Sequence, residues 1–139
     1  MSKKLQIDWV NRSHFYTKKE LSYLNNFLKN STSLTQGAEL LKFESSLKKY
    51  LKVQNINVVS SAAASLEIIA LLLQLKKGDE IIIPAHTYCA TALPFLRNSA
   101  KIVWADIDFK TRVISLEDVK KKITKKTKAI ILVHLYGYA

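Results

Sequence analysis

The stretch Val58-Val59-Ser60-Ser61-Ala62-Ala63-Ala64-Ser65-Leu66-Glu67-Ile68-Ile69-Ala70-Leu71-Leu72-Leu73 opens as a strand and closes as a helix. Ile56, Val58 and Val59 favour extended backbone. From Ala62 onward no Gly or Pro interrupts the chain until Gly78, and a helix over 62–75 is expected. Between them Ser60 to Ser65 carry neither bulk nor charge. Serine is a good helix cap, and that alone could account for the pattern. Small residues also let an anion approach the unpaired N–H groups at a helix start, where the dipole is positive. The glycines of a nucleotide-binding loop are missing, since the only glycines are Gly37, Gly78 and Gly137.

Outward from this junction the rhythm repeats. Lys77-Gly78-Asp79 reads as a turn and Glu80-Ile-Ile-Ile-Pro84 as a second strand. Residues 88–98 read as a helix, with Thr87 as N-cap and Pro94 expected to kink or shorten it. Strands over 101–106 and 128–134 flank a helix that opens at the capping box Ser115-Leu-Glu-Asp118 and runs to about residue 123. Strands alternating with helices imply crossover connections and a mostly parallel sheet. The apolar runs 81–83 and 129–133 fit strands covered on both faces. Upstream, Thr17-Lys-Lys-Glu20 is a capping box with Leu21, Leu24 and Leu28 following at helical spacing. A second helix is expected over 38–51, with Leu40, Phe43, Leu47 and Tyr50 as its apolar stripe. The fold class is therefore α/β, a partial and mostly parallel sheet with flanking helices.

The totals narrow the function classes. The 139 residues suffice for one domain, at 48% hydrophobic and 24% charged. The start MSKKLQIDWVNRSHF has no apolar core, so no secretory signal is expected. The longest apolar run, 68–73, falls far short of the roughly 20 residues that span a bilayer, and no membrane partner is expected. The lone Cys89 cannot form an internal disulfide, and a cytoplasmic protein is expected. A net charge of +11, from 22 basic and 11 acidic residues, raises a polyanion partner. Only Arg12, Arg97 and Arg112 are arginines, however, and the lysines spread over helix faces. A solvated lysine surface is favoured over nucleic-acid binding.

In parallel sheets, ligands sit beyond the carboxyl ends of the strands. There the sequence places Ser60 to Ala64, then Pro84-Ala-His-Thr-Tyr-Cys-Ala-Thr91, then Asp106-Ile-Asp108, then His134-Leu-Tyr-Gly-Tyr-Ala139. Tyr88 could stack on a planar ligand or sit in the core. His86 lacks a second ligand at metal spacing, and Cys89 is expected as a small buried residue. Asp106 and Asp108 alternate at a strand end, which favours capping and turn formation over paired acid–base work.

Taken in order, these pieces resemble the N-terminal part of the nucleotide-sugar aminotransferases, the DegT/DnrJ/StrS group of fold type I pyridoxal-phosphate enzymes. Gly37-Ala-Glu-Leu-Leu-Lys-Phe-Glu-Ser-Ser-Leu-Lys-Lys-Tyr50 resembles the family's G-x-x-x-x-x-F-E-x-x-L-x-x-Y, and Ser61-Ala-Ala-Ala-Ser-Leu66 its S-G-T-A-A-L box. Gly78-Asp-Glu-Ile-Ile-Ile-Pro-Ala-His-Thr-Tyr-Cys-Ala-Thr91 resembles G-D-E-V-I-x-P-x-x-T-[YFW]-x-A-T, and Asp106-Ile-Asp108 and His134-Leu-Tyr-Gly137 recur there too. The resemblance covers roughly 35–139 and implies a helical arm over 1–34 followed by part of a cofactor-binding large domain. It implies that Ala62, Ala63 and Ala64 offer backbone N–H groups to the phosphate of pyridoxal 5′-phosphate, with Tyr88 over its ring. The family's phosphate-touching threonine is Ala63 here, with Ser61 or Ser65 as substitute hydroxyls. Thr35 to Gly37 and His86 are candidates to face substrate.

The reaction implied is transfer of an amino group from an amino acid, usually glutamate, to a nucleotide-linked keto-sugar, in a homodimer. A dehydratase on the same fold is the alternative. The family's Schiff-base lysine and the acid that pairs with the pyridine nitrogen lie beyond the stretch matching residue 139. No catalytic residue is therefore assigned, and the chain alone is expected to be inactive. Ser13-His-Phe-Tyr-Thr-Lys18 only echoes the lysine motif, in the wrong place.

Overall fold

A computed structural model describes residues 15–31 and 33–137. The start of the chain read for a secretion signal, Arg12 and the first two residues of the Ser13–Lys18 echo lie outside the described residues. The chain divides into two compact units, one ending at Val58 and the other beginning at Val59.

In the first unit, α1 (Lys18–Asn30) begins at the expected capping box. Glu20 N–H donates to Thr17 Oγ1 at 3.2 Å, and Thr17 N–H donates to Glu20 Oε2 at 2.6 Å. α2 (Ala38–Leu51) has the expected bounds and ends on Lys52 in the left-handed region. Leu40 and Leu47 are half-buried, while Phe43 and Tyr50 of the same stripe are exposed. Tyr23 donates its hydroxyl to Glu39 Oε2, and Lys42 pairs with Glu39 at 2.6 Å. A cleft of about 430 Å³ opens there, lined by Tyr23, Asn26, Asn30, Ser33, Gly37 and Lys42 among others.

The second unit holds α3 (Ala62–Leu72), β1 (Glu80–Pro84), α4 (Leu93–Arg97), β2 (Lys101–Ala105), α5 (Leu116–Lys122) and β3 (Thr127–Ile130). The sheet order is β2-β1-β3, with both pairings parallel. Glu80 stands opposite Lys101 on one side and Thr127 on the other, and Pro84 opposite Ala105. β1 is buried at every position, as its unbroken apolar run requires. Ile81 and Ile83 face Ala70 of α3 and Phe95 of α4, whereas Ile82 faces Val119 of α5. Helices thus cover both faces of β1, and each fully buried isoleucine contributes roughly 1.5–3 kcal/mol over an exposed one.

Several elements depart from the sequence reading. Residues 56–60, expected as a strand, pair with no strand among the described residues. The sheet consists of β2, β1 and β3 alone among the described residues. Val58 N–H instead donates to Glu44 Oε1 at 3.0 Å. The helix expected over 88–98 is two pieces, a 3-10 turn at Cys89–Thr91 and then α4. Pro94 sits in the first turn of α4, where its missing N–H costs nothing, and breaks the ladder upstream. Tyr88 is the cap of the 3-10 turn. Thr87, the expected cap, shares a hydroxyl–hydroxyl bond of 2.8 Å with Thr91 instead. The strand expected to run to residue 134 stops at Ile130, and β3 alternates half-buried with exposed. It lies at the sheet's edge, so the both-face cover read from its apolar run is not realised.

Candidate functional site

α3 runs into the 73–79 turn that feeds β1, so the start of α3 lies where β1 leaves the sheet at Pro84. The 3-10 turn Cys89–Thr91, which follows β1, packs against α3. The Ser61 junction and the Tyr88 loop therefore share the carboxyl end of the sheet, where ligands bind in open α/β folds.

At the junction Ser61 is fully extended (φ −163°, ψ 161°) and caps α3, its Oγ accepting Ala64 N–H at 3.1 Å. Ala62 and Ala63 are exposed, and their N–H groups have no partner among the described residues. Two N–H donors at the positive end of an 11-residue helix therefore stand open. Ser61 Oγ accepts from Ala64 and keeps its own proton to donate, whereas Ala64 N–H is already taken. Ser61, Ala62 and Ala63 are all exposed. The helix start suits a phosphate on the structure's own terms: open donors, small residues and no carboxylate in the first turn of α3.

Tyr88 is 74% exposed and belongs to neither hydrophobic cluster, which removes the core reading of this ring. Cys89 is also exposed, contrary to expectation, because the inward positions of the 3-10 turn and its exit go to Thr91 and Ala92. His86 is half-buried, and its Nδ1 is buried without a hydrogen-bond partner among the described residues. The His86 ring meets Tyr136 edge-on, with centroids 6.5 Å apart and planes at 70°. Tyr136 holds a left-handed backbone (φ 56°) beside Gly137 (φ 84°). The sequence marked His86 for its place after β1, but its contact with a residue 50 positions along needed the fold.

Asp108 forms the turn read from the alternation, while the Asp106 carboxylate accepts only the N–H of its neighbour Ile107, at 2.8 Å, among the described residues. Asp108 Oδ1 accepts from the N–H groups of Lys110 and Thr111 and from the Thr111 hydroxyl. The Thr111 N–H and hydroxyl hold the Asp108 carboxyl below its ordinary value. Asp106 N–H donates to Asp118 Oδ2 at 2.6 Å. The Lys122 ammonium, then this N–H, hold Asp118 low. Thr35 to Gly37 lie in the first unit, at the bend before α2. Among the described residues no group of three His, Cys, Asp or Glu could hold a metal ion.

The chain is 36% identical over 120 residues to the GDP-perosamine synthase of Vibrio cholerae, covering 86% of this chain and 33% of that protein. It is 32% identical over 141 residues to the GDP-4-keto-6-deoxy-D-mannose 3-dehydratase of Yersinia pseudotuberculosis, covering 97% of this chain and 36% of that protein. Among solved structures, the Escherichia coli GDP-4-keto-6-deoxy-D-mannose 3-dehydratase with bound hydrated pyridoxal phosphate superposes with a TM-score of 0.82 at 29% identity. That match covers 90% of this chain and 33% of the other. The chain spans about a third of the length of the curated relatives it matches. The family profile matches residues 15–139, and the chain belongs to the DegT/DnrJ/EryC1/StrS aminotransferase family.

Proposed function

We propose that this chain supplies the phosphate-binding turn and the ring-stacking aromatic of a cytoplasmic, homodimeric, pyridoxal-phosphate-dependent enzyme. It would transfer an amino group from an amino acid, glutamate being the expected donor, to a nucleotide-linked keto-sugar. Residues 35–139 would form part of its cofactor-binding domain. The observation that carries the reading is the pair of open N–H groups of Ala62 and Ala63 at the start of α3. When bound, the cofactor supplies an electron sink that stabilises negative charge on the carbon bearing the nitrogen.

The chain's own residues bind and orient. Ala62 and Ala63 N–H groups and the Ser61 hydroxyl hold the phosphate, and the α3 dipole favours its charge. Tyr88 offers an exposed ring face to fix the plane of the pyridine. None of the chain's lysines falls at the family's Schiff-base position, so the 139-residue polypeptide by itself is proposed to bind without turnover.

The test uses pyridoxine 5′-phosphate, whose hydroxymethyl group cannot condense with lysines as an aldehyde would. Calorimetric titration is expected to show binding that pyridoxine without phosphate lacks. Tyr88→Ala is expected to weaken it by about 2- to 12-fold, the worth of one aromatic stack, while Tyr88→Phe preserves it. Equal affinity with and without the phosphate would sink the assignment. The match to the dehydratase from Yersinia over 97% of the chain supports a second reading, dehydration of the same substrate class. Products from a longer polypeptide containing this sequence separate the two, as an amino-sugar with 2-oxoglutarate or a deoxy-sugar without net amino transfer.

A further inference from the structure

The opposite end of the sheet has a different chemistry. The strand starts bring together Lys76 and Lys77 of the turn into β1, Lys101 of β2, and Lys125, Lys126 and Lys128 at the entry to β3. Backbone bonds tie them there: Glu80 N–H donates to the Lys126 carbonyl at 2.9 Å, Lys101 N–H to the Asp79 carbonyl at 2.8 Å, and Asp79 N–H to the Lys76 carbonyl at 3.0 Å. All of these lysines are exposed.

Asp79 and Glu80 are the acids at this edge, and both are engaged. Glu80 accepts from the Thr124 hydroxyl at 2.6 Å and from Lys101 Nζ at 3.1 Å. Asp79 accepts Lys76 N–H at 2.9 Å and lies 3.7 Å from Lys128 Nζ. Nearby on α5, Lys120 pairs with Glu117 and Lys122 with Asp118. Lys76, Lys77, Lys125 and Lys126 make no ion pair among the described residues. Two exposed aliphatic residues neighbour them along the chain: Leu72, 76% exposed at the end of α3, and Ile123, 51% exposed between Lys122 and Lys125.

We propose, against the expectation of no membrane partner that rested on the lack of a spanning run, that this edge docks on a membrane surface of anionic lipid headgroups. Lysine side chains reach headgroup phosphates and carboxylates without needing a fixed geometry, and juxtaposed lysines add their attraction. Exposed Leu72 and Ile123 enter the interface between the lysines, as in peripheral anchors. Nucleic acid fits less well. Arg97, at the end of α4 close to this edge, is already paired with Glu67 at 2.7 Å, and residues 71–80, 101 and 120–128 carry no aromatic ring on which a base could stack. The surface faces away from the Ser61 junction, so docking leaves the cofactor end of the sheet open.

The experiment is co-sedimentation of the full chain with vesicles of phosphatidylcholine, with and without phosphatidylserine. Binding is expected only to the anionic vesicles and is expected to fall as salt rises. Lys125→Gln with Lys126→Gln should weaken partitioning on the order of 25-fold, about fivefold per lysine. Lys110→Gln with Arg112→Gln removes the same charge beyond the far end of β2, more than a Debye length of about 10 Å away. That pair should leave binding within about twofold. Ile123→Ser should weaken vesicle binding roughly tenfold with no change of charge. Circular dichroism checks that each variant keeps its fold. No binding to anionic vesicles at low salt overturns the proposal. So does an equal loss from both charge pairs, or retention by duplex DNA with vesicles left unbound.

Discussion

Replacing Ala63 by threonine should strengthen phosphate binding at the start of α3. Ala63 is the second residue of the helix, exposed, with an open N–H, beside a serine whose Oγ already accepts Ala64 N–H at 3.1 Å. A threonine hydroxyl at that position reaches the same anion. A hydrogen bond to a charged group contributes about 1.5–3 kcal/mol, which converts to about 10- to 150-fold in affinity. Threonine's lower helix propensity costs up to about 0.7 kcal/mol of stability, but bound and free states share that cost. Titration with pyridoxine 5′-phosphate measures the gain, and pyridoxine without phosphate should show none. Ala63→Asp supplies the opposite sign. Its carboxylate stabilises the helix by about 0.3–1 kcal/mol through the dipole, yet repels the phosphate. It should therefore give a protein at least as stable in urea that no longer binds. A threonine that raises both affinities equally, or an aspartate that leaves phosphate binding intact, would refute the reasoning.

Phe95→Ala removes a fully buried ring from between α3, α4 and β1 and should cost about 3–5 kcal/mol in urea unfolding. The Thr124 hydroxyl and the Lys101 ammonium hold the Glu80 carboxyl below its ordinary value of 4.5. Its folded form therefore takes up a proton at lower pH than its unfolded form. Stability from Glu80 is full above pH 4.5 and is lost as pH falls through the depressed folded value. Glu80→Gln should flatten that acid limb in unfolding curves taken at successive pH values, with little change in its slope above pH 6.

Local chemistry made much of this chain legible from its sequence. The Thr17 box, the Ser61 and Ser115 caps, the β1 run and the turn at Gly78 each depend on residues within about four positions. Each appears where the sequence places it. The parallel order of the sheet followed from alternation, because a short link cannot return a chain to a parallel neighbour. Partners distant in sequence were not legible. Whether 56–60 joins a sheet depends on a neighbouring edge, and its β-branched pattern is the same with or without one. Whether Tyr88 and Cys89 face inward depended on how Pro94 divides the helix that follows them. The orphaned His86 Nδ1, the Tyr136 ring beside it and the lysine edge below β1 arise only when separate strands meet. Composition counted those lysines, but only the register of three strands gathered them on one side. Periodicity and capping report forces along the chain, while exposure and charge clustering report which segments fold together.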